Sequence, residues 1–294
     1  MKYVDTNQVN KRMTARLFKN NIAKSLFLFA TLIGLIVLVI LIYRVYTQSI
    51  GWIDWNFLTG KLSTRAEKAG IMGALLGTLW LMAVVAPVTM FLGVGTAIYL
   101  EEYAKKGRFN SFIQTNISNL AGVPSIVFGI LGLTFFVRGI NFGSVVLAGG
   151  LTMSLLVLPI VVVASQEAIR AVPQFLREAS YAMGATKWQT TKKVILPASL
   201  PGIMTGFILA LSRAIGETAP LVVIGLPALI LPFPDGLFSR FTVLPMQIYY
   251  WTVDSVMVDE YANLAAATII ILLIALFALN SIAIIIRNKF QKRY

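Results

Sequence analysis

From Ala69 to Leu100 the chain runs for 32 residues without a charged side chain. A helix needs about 20 apolar residues to cross the hydrocarbon core of a bilayer, and uncharged stretches of that length recur along the sequence. Mean hydropathy is +0.79, and 57% of the 294 residues are hydrophobic while 13% are charged. A soluble domain has about a quarter of its residues charged. A membrane β-barrel would instead show short alternating segments. The expected fold is therefore an all-α integral membrane protein with six transmembrane helices.

The spans can be placed in order. The first covers about 23–46; it follows a basic tail, is too long for a signal peptide and lacks a small-residue cleavage site, so it should persist as an anchor. An outer segment, about 47–68, carries Trp52 and Trp55 as interface aromatics. The second span, 69–100, offers Gly73 and Gly77 as a close-packing face, and Pro87 should kink it. Glu101, Glu102, Lys105, Lys106 and Arg108 then read as a short cytoplasmic loop. The third span, about 111–137, has Gly122 and Pro124 as a break, and 138–143 is an outer turn. The fourth, about 144–165, leads into a polar loop, about 166–199. The fifth, about 200–224, precedes a proline-rich outer segment in which residues 232–236 read as turns. Its aromatics (Phe233, Phe238, Phe241, Tyr249, Tyr250, Trp251) read either as a contact or closing element or as an interfacial belt. The sixth span covers about 260–286.

Charge supports this topology. The net charge of +13 could suggest nucleic acid, but 18 of the 25 lysines and arginines fall in the tails and loops assigned to the cytoplasm. The outer segments and outer span ends hold six, and Arg213 alone lies within a span. This is the positive-inside pattern with both termini cytoplasmic, and nucleic acid is not an expected partner. There are no cysteines and no histidines, which removes disulfides, thiolate nucleophiles, imidazole bases and the usual zinc ligands. Neither a catalytic residue nor a metal site is expected.

Two features carry chemistry. The first is the polar loop, where residues 171–197 read AVPQFLREASYAMGATKWQTTKKVILP. Pro173 suits a helix start, residues 174–183 are good helix material, and Gly184 is a natural stop. Thr186 can cap a second helix over 187–194, which Pro197 would end. This helix-turn-helix would have an apolar side (Phe175, Leu176, Ala179, Ala182, Met183). A helix pair in this position could simply shield the base of the bundle.

However, the loop resembles the E-A-A motif of binding-protein-dependent ABC importer permeases, in which E-A-A is followed by three residues, G, nine residues and I-x-L-P. Here the positions are Glu178, Ala179, Ser180, Gly184, Val194, Leu196 and Pro197, with Ser180 and Val194 as size-conserving departures. The resemblance implies a five-helix permease core preceded by one N-terminal span, with the loop as the coupling helix that docks an ATPase. The chain lacks a G-x-x-x-x-G-K-[ST] phosphate loop. ATP would thus be used by a separate ATPase subunit, with no cofactor bound by this chain.

The second feature is the run ALSRAIGETAPL, residues 210–221. Arg213 and Glu217 are four apart and would share a helix face. Counting from Pro201, Arg213 would lie roughly 18 Å deep at 1.5 Å per residue, near the middle of a core about 30 Å thick. A charge there costs on the order of 2.5–3.5 kcal/mol. The pair either neutralises itself and locks the bundle, or forms an anion site in which the Arg213 fork takes oxyanion oxygens.

The stretches from Arg177 to Ile203 and from Leu209 to Leu221 are similar to the phosphate-specific importer, and G-E-T-A-P-L is similar to its A-type permease. That likeness implies inorganic phosphate as substrate, with Arg213, Glu217 and Thr218 on its path. The implied partners are a homologous C-type permease subunit, two ATPase subunits and an extracytoplasmic phosphate-binding protein, in the lipid bilayer of a bacterial or archaeal plasma (inner) membrane. The alternatives are a permease of the same kind for another small solute, or an ion-coupled secondary transporter using Glu217. The expected organisation is 1–68 for the basic tail, first span and outer segment, 69–286 for the permease domain with coupling helices at about 171–197, and 287–294 for a basic tail.

Overall fold

A computed structural model describes residues 6–105, 107–227 and 233–290, with the side chains of 6–12, 14, 15 and 290 left aside. Lys106 and Pro232, at the start of the turn segment 232–236, lie outside the described residues, as do residues 1–5 and 291–294 of the basic tails. The described helices are α1 (Thr6–Ser49), α2 (Trp55–Thr59), α3 (Met72–Ile98), α4 (Arg108–Leu120), α5 (Ser125–Gly132), α6 (Val146–Arg170), α7 (Gln174–Ala182), α8 (Lys187–Thr190), α9 (Leu196–Gly216), α10 (Ala219–Ile224), α11 (Leu244–Asp254) and α12 (Glu260–Phe290). Among the described residues five continuous helices are long and apolar enough to cross a membrane: Arg16–Ser49, Met72–Tyr103, Val146–Arg170, Lys187–Gly216 and Glu260–Lys289.

The third span, expected at about 111–137, takes another form. Residues 108–139 form two helices, Arg108–Leu120 and Ser125–Gly139, that meet at 102° in place of one straight helix. Gly122 and Pro124 cause the break: proline disfavours helical backbone before it, and Pro124 is extended (φ −54°, ψ 136°) at the start of α5. Composition separates the two arms. In α4 the polar residues Asn110, Ser111, Gln114 and Asn119 alternate with Ile113 and Ile117, which pack on the core. The second arm is apolar and continues through a π-helical turn, Leu133–Gly139.

At the centre, α3 packs along α6, and α9 closes against α6. Val85, Val157, Val161 and Met153 are fully buried there, with Phe207 and Ala214 from α9 in the same cluster. Helix α3 runs unbroken through Pro87. Gly77 does permit a close approach, but to a backbone segment: a Cβ there would collide with the Thr242 carbonyl oxygen. Gly73 faces the Phe233 ring. By contrast α1 leaves its apolar window wholly exposed and touches the bundle through α12.

The segment before α11 folds back into the bundle. Val146 and Leu147 donate their N–H groups to the carbonyls of Ser239 and Leu237 at 3.1 and 2.8 Å. These would otherwise be orphan donors at a helix start. Leu244 N–H donates to Thr78 Oγ1 at 3.0 Å. Phe241 and Trp251 are 0% and 2% exposed, so these two aromatics are core residues and neither belt nor contact. Tyr250 donates its hydroxyl to the Leu226 carbonyl at 2.6 Å. Its phenol is held above the ordinary range by burial and by neighbouring Tyr249.

Candidate coupling surface and translocation path

The loop between α6 and α9 shapes itself by local rules. Met183 ends α7, and Gly184 adopts the left-handed conformation at φ 80°. Gly184 N–H then donates to Tyr181 O at 2.9 Å and Ala185 N–H to Ser180 O at 3.2 Å. These are the two bonds of a Schellman termination. Thr186 opens α8 with a capping box: its hydroxyl accepts from Gln189 N–H at 3.3 Å, and Gln189 Oε1 accepts from Thr186 N–H at 2.8 Å. The expected start of α7 at Gln174, the stop at Gly184 and the cap at Thr186 are found, with α7 ending one residue early, at Ala182.

The second helix departs from expectation. Pro197 does not end it; Lys187–Gly216 is one continuous helix. Thr191–Ile195 forms a π-helical turn, closed by Leu196 N–H on the Thr191 carbonyl. After that turn Pro197 occupies the first turn of α9, where its missing N–H costs little. The fourth span likewise continues five residues beyond Ser165, to Arg170, because Gln166 and Arg170 have partners on α3's extension.

The seven motif residues therefore divide. Glu178, Ala179 and Gly184 are exposed, and Glu178 makes no hydrogen bond or ion pair among the described residues. Ser180 is half-buried and bonds the Thr190 hydroxyl at 2.9 Å. Val194, Leu196 and Pro197 are half-buried at the root of α9, with Leu196 packed on the core. The apolar side divides too. Leu176 packs inward, while Phe175 and Met183 are 64% and 88% exposed. Trp188, not singled out by sequence, joins them at 62% exposed. Three large apolar side chains left exposed on one short loop mark it as a contact surface.

A polar network fastens this loop. Glu101 and Glu102 are not loop residues: α3 continues into a π-helical turn, Tyr99–Tyr103, that carries both inward. Glu101 receives Gln166 Nε2 at 2.8 Å and Arg170 Nε and Nη2 at 2.9 and 2.6 Å. Glu102 pairs with Arg177 Nη2 at 3.2 Å, and Arg177 also donates to the carbonyls of Ile169 (2.9 Å) and Val172 (2.8 Å). Sequence reasoning passed over Glu102, Gln166, Arg170 and Arg177. The available signal was two adjacent glutamates directly after 32 uncharged residues.

Arg213 and Glu217 do meet, with Nε to Oε1 at 3.2 Å. Their geometry is not that of one helix face. Helix α9 ends at Gly216, and Glu217 is extended (φ −80°, ψ 124°). Pro220 accounts for the break, since it has no N–H to give the Gly216 carbonyl and a new helix must start around it. Thr218 begins α10, which Gly225 ends. The side chains of Arg213 and Glu217 are 46% and 22% exposed. Arg213's terminal nitrogens and the Thr218 hydroxyl make no hydrogen bond among the described residues.

The fold and these features define a class: a multi-pass helical membrane protein built as an ABC importer permease. A bacterial ABC transporter involved in the import of the acidic polysaccharide alginate superposes with a TM-score of 0.62 at 17% identity, over 94% of this chain and all of that one. The sequence places it more closely. Residues 89–294 match the binding-protein-dependent transport system inner membrane component, and the chain belongs to that family. The phosphate transport system permease protein PstA 1 of Mycobacterium tuberculosis is 36% identical over 71% of this chain and 69% of its own. The phosphate transport system permease protein PstA of Yersinia pestis is 31% identical over 95% of this chain and 93% of its own.

Proposed function

We propose that the chain is the A-type permease subunit of an ATP-driven phosphate importer in a bacterial or archaeal plasma membrane, with both termini cytoplasmic. A homologous C-type permease would complete the path, an extracytoplasmic binding protein would deliver phosphate, and two ATPase subunits would use the ATP, this chain binding no cofactor itself. The observation that carries the reading is the break in the fifth span beside Arg213. Non-helical backbone at membrane depth is tolerated only where protein buries it or a water-filled cavity meets it. An intramembrane arginine with open donors is a functional site by default.

In this reading each residue has a distinct task. Glu217 holds Arg213 by Nε, which orients the planar fork and leaves both terminal nitrogens for phosphate oxygens. Glu217 Oε can also accept a hydrogen bond from a protonated phosphate oxygen. Thr218 offers a hydroxyl one residue further on. The relatives named as phosphate transport system permeases support phosphate as the anion. At the other end Glu178, Ala179, Met183 and Trp188 form the ATPase-facing surface. Radiolabelled phosphate uptake in cells that depend on this chain tests the path. Uptake should fall at least about tenfold in Arg213→Gln, the equivalent of about 1.4 kcal/mol. Unchanged phosphate uptake in Arg213→Gln would remove the anion site.

A further inference from the structure

Helix α7 contains no fully buried residue, so its attachment to the body of the protein rests on few contacts. Three side chains stand out among the described residues. Ser180 reaches Thr190, a bond within the loop itself. Leu176 packs in the apolar cluster beside Ile169 and Val172, which holds the helix down without fixing its direction. Arg177 alone among the described residues bonds α7 to two other elements. It donates to the Ile169 and Val172 carbonyls at the end of α6 and to Glu102 beyond α3.

Burial makes this connection stiff. The Arg177 and Glu102 side chains are 15% and 8% exposed. Coulomb attraction is stronger away from water, and the guanidinium has a fixed fork geometry. Next to it, Glu101 is clamped by Gln166 and Arg170, which ties the end of α3 to the end of α6. The ends of α3, α6 and α7 are thus joined by consecutive glutamates on one π-helical turn. Two covalent routes also leave the loop, back through 171–173 into α6 and onward through α8 into α9.

We propose that Arg177 and Glu102 form a strut that carries displacement of α7 directly to the end of α3, so that α3, and not only the covalently joined α6 and α9, follows the docked ATPase. Arg177 is then a positioning residue for coupling, and Glu178 beside it faces outward. The inference rests on the importer reading above. Without the strut, α7 still docks and ATP is still hydrolysed, but α3 is driven only indirectly, through its packing and the Glu101 clamp on α6.

The test uses the assembled complex in proteoliposomes, with ATPase subunits, partner permease and binding protein. Phosphate moved per ATP hydrolysed is measured for wild type, Glu102→Gln, Arg177→Gln and the double variant. Each single variant should lower that ratio at least about threefold while the ATPase co-purifies as in wild type. The double variant should fall no further than the lower single, because both remove one connection. A wild-type ratio in either single variant overturns the strut, as does a double variant that falls by the product of the two. Parallel loss of hydrolysis and ATPase co-purification also overturns it, because Arg177 would then be a docking residue. ATP-independent uptake by the wild-type complex would instead sink the importer reading beneath it.

Discussion

The chain places an arginine against a glutamate in two settings. At the loop end, Arg177 sits in the protein with its fork divided among Glu102 and two carbonyls. In the fifth span, Arg213 makes one bond to Glu217 and leaves its terminal nitrogens open. The chemistry is the same; the difference is how many donors are already satisfied. A guanidinium whose partners are all internal holds elements together. One with open donors at a helix break can take a ligand. An ion pair seen in a sequence therefore says little until the remaining donors are counted.

That contrast can be broken in order of expected effect. Arg177→Ala leaves the Glu102 carboxylate buried without its partner, which in proteins costs about 3–5 kcal/mol. Thermal or denaturant unfolding in detergent should register most of that, and a loss under about 1 kcal/mol would mean water reaches Glu102 readily. Arg213→Gln should do the reverse, with a large loss of phosphate uptake and a stability change within about 0.5 kcal/mol for a half-exposed pair. A variant equally damaged in both measurements would erase the distinction.

Smaller effects sharpen the loop side. Gly184→Ala places a Cβ on a left-handed residue and should cost about 1 kcal/mol in stability. Thr186→Ala removes one half of the capping box and should cost about 0.5–1 kcal/mol, read by the same unfolding assay. In the assembled complex both should weaken ATPase co-purification without altering the Arg213 site.

Legibility in the sequence follows the range of the interaction. The apolar runs reveal the membrane helices because crossing a bilayer is a constraint within one segment. Gly184 and Thr186 announce their roles because caps are settled within four residues. The break at Glu217 hides behind a spacing of four, which reads as helix, although Pro220 was the local warning. Pro197 misleads the other way, since the π-helical turn before it moves the proline to a first-turn position. Glu102 and Arg177 are 75 residues apart. No local pattern connects them, and only the packing of α3 on α6 brings them together.

The self-capped turn between α7 and α8 has a kinetic consequence. Ordering a residue's backbone costs about 1–2 kcal/mol, and a loop that froze only on contact would bear that cost at each encounter. Here the Schellman bonds and the capping box hold residues 183–189 in shape within the chain itself. An arriving partner meets a finished surface, so association is limited by diffusion and orientation and not by a folding step. Changes in the partner's state are then transmitted as movement of a solid part, with little lost to slack.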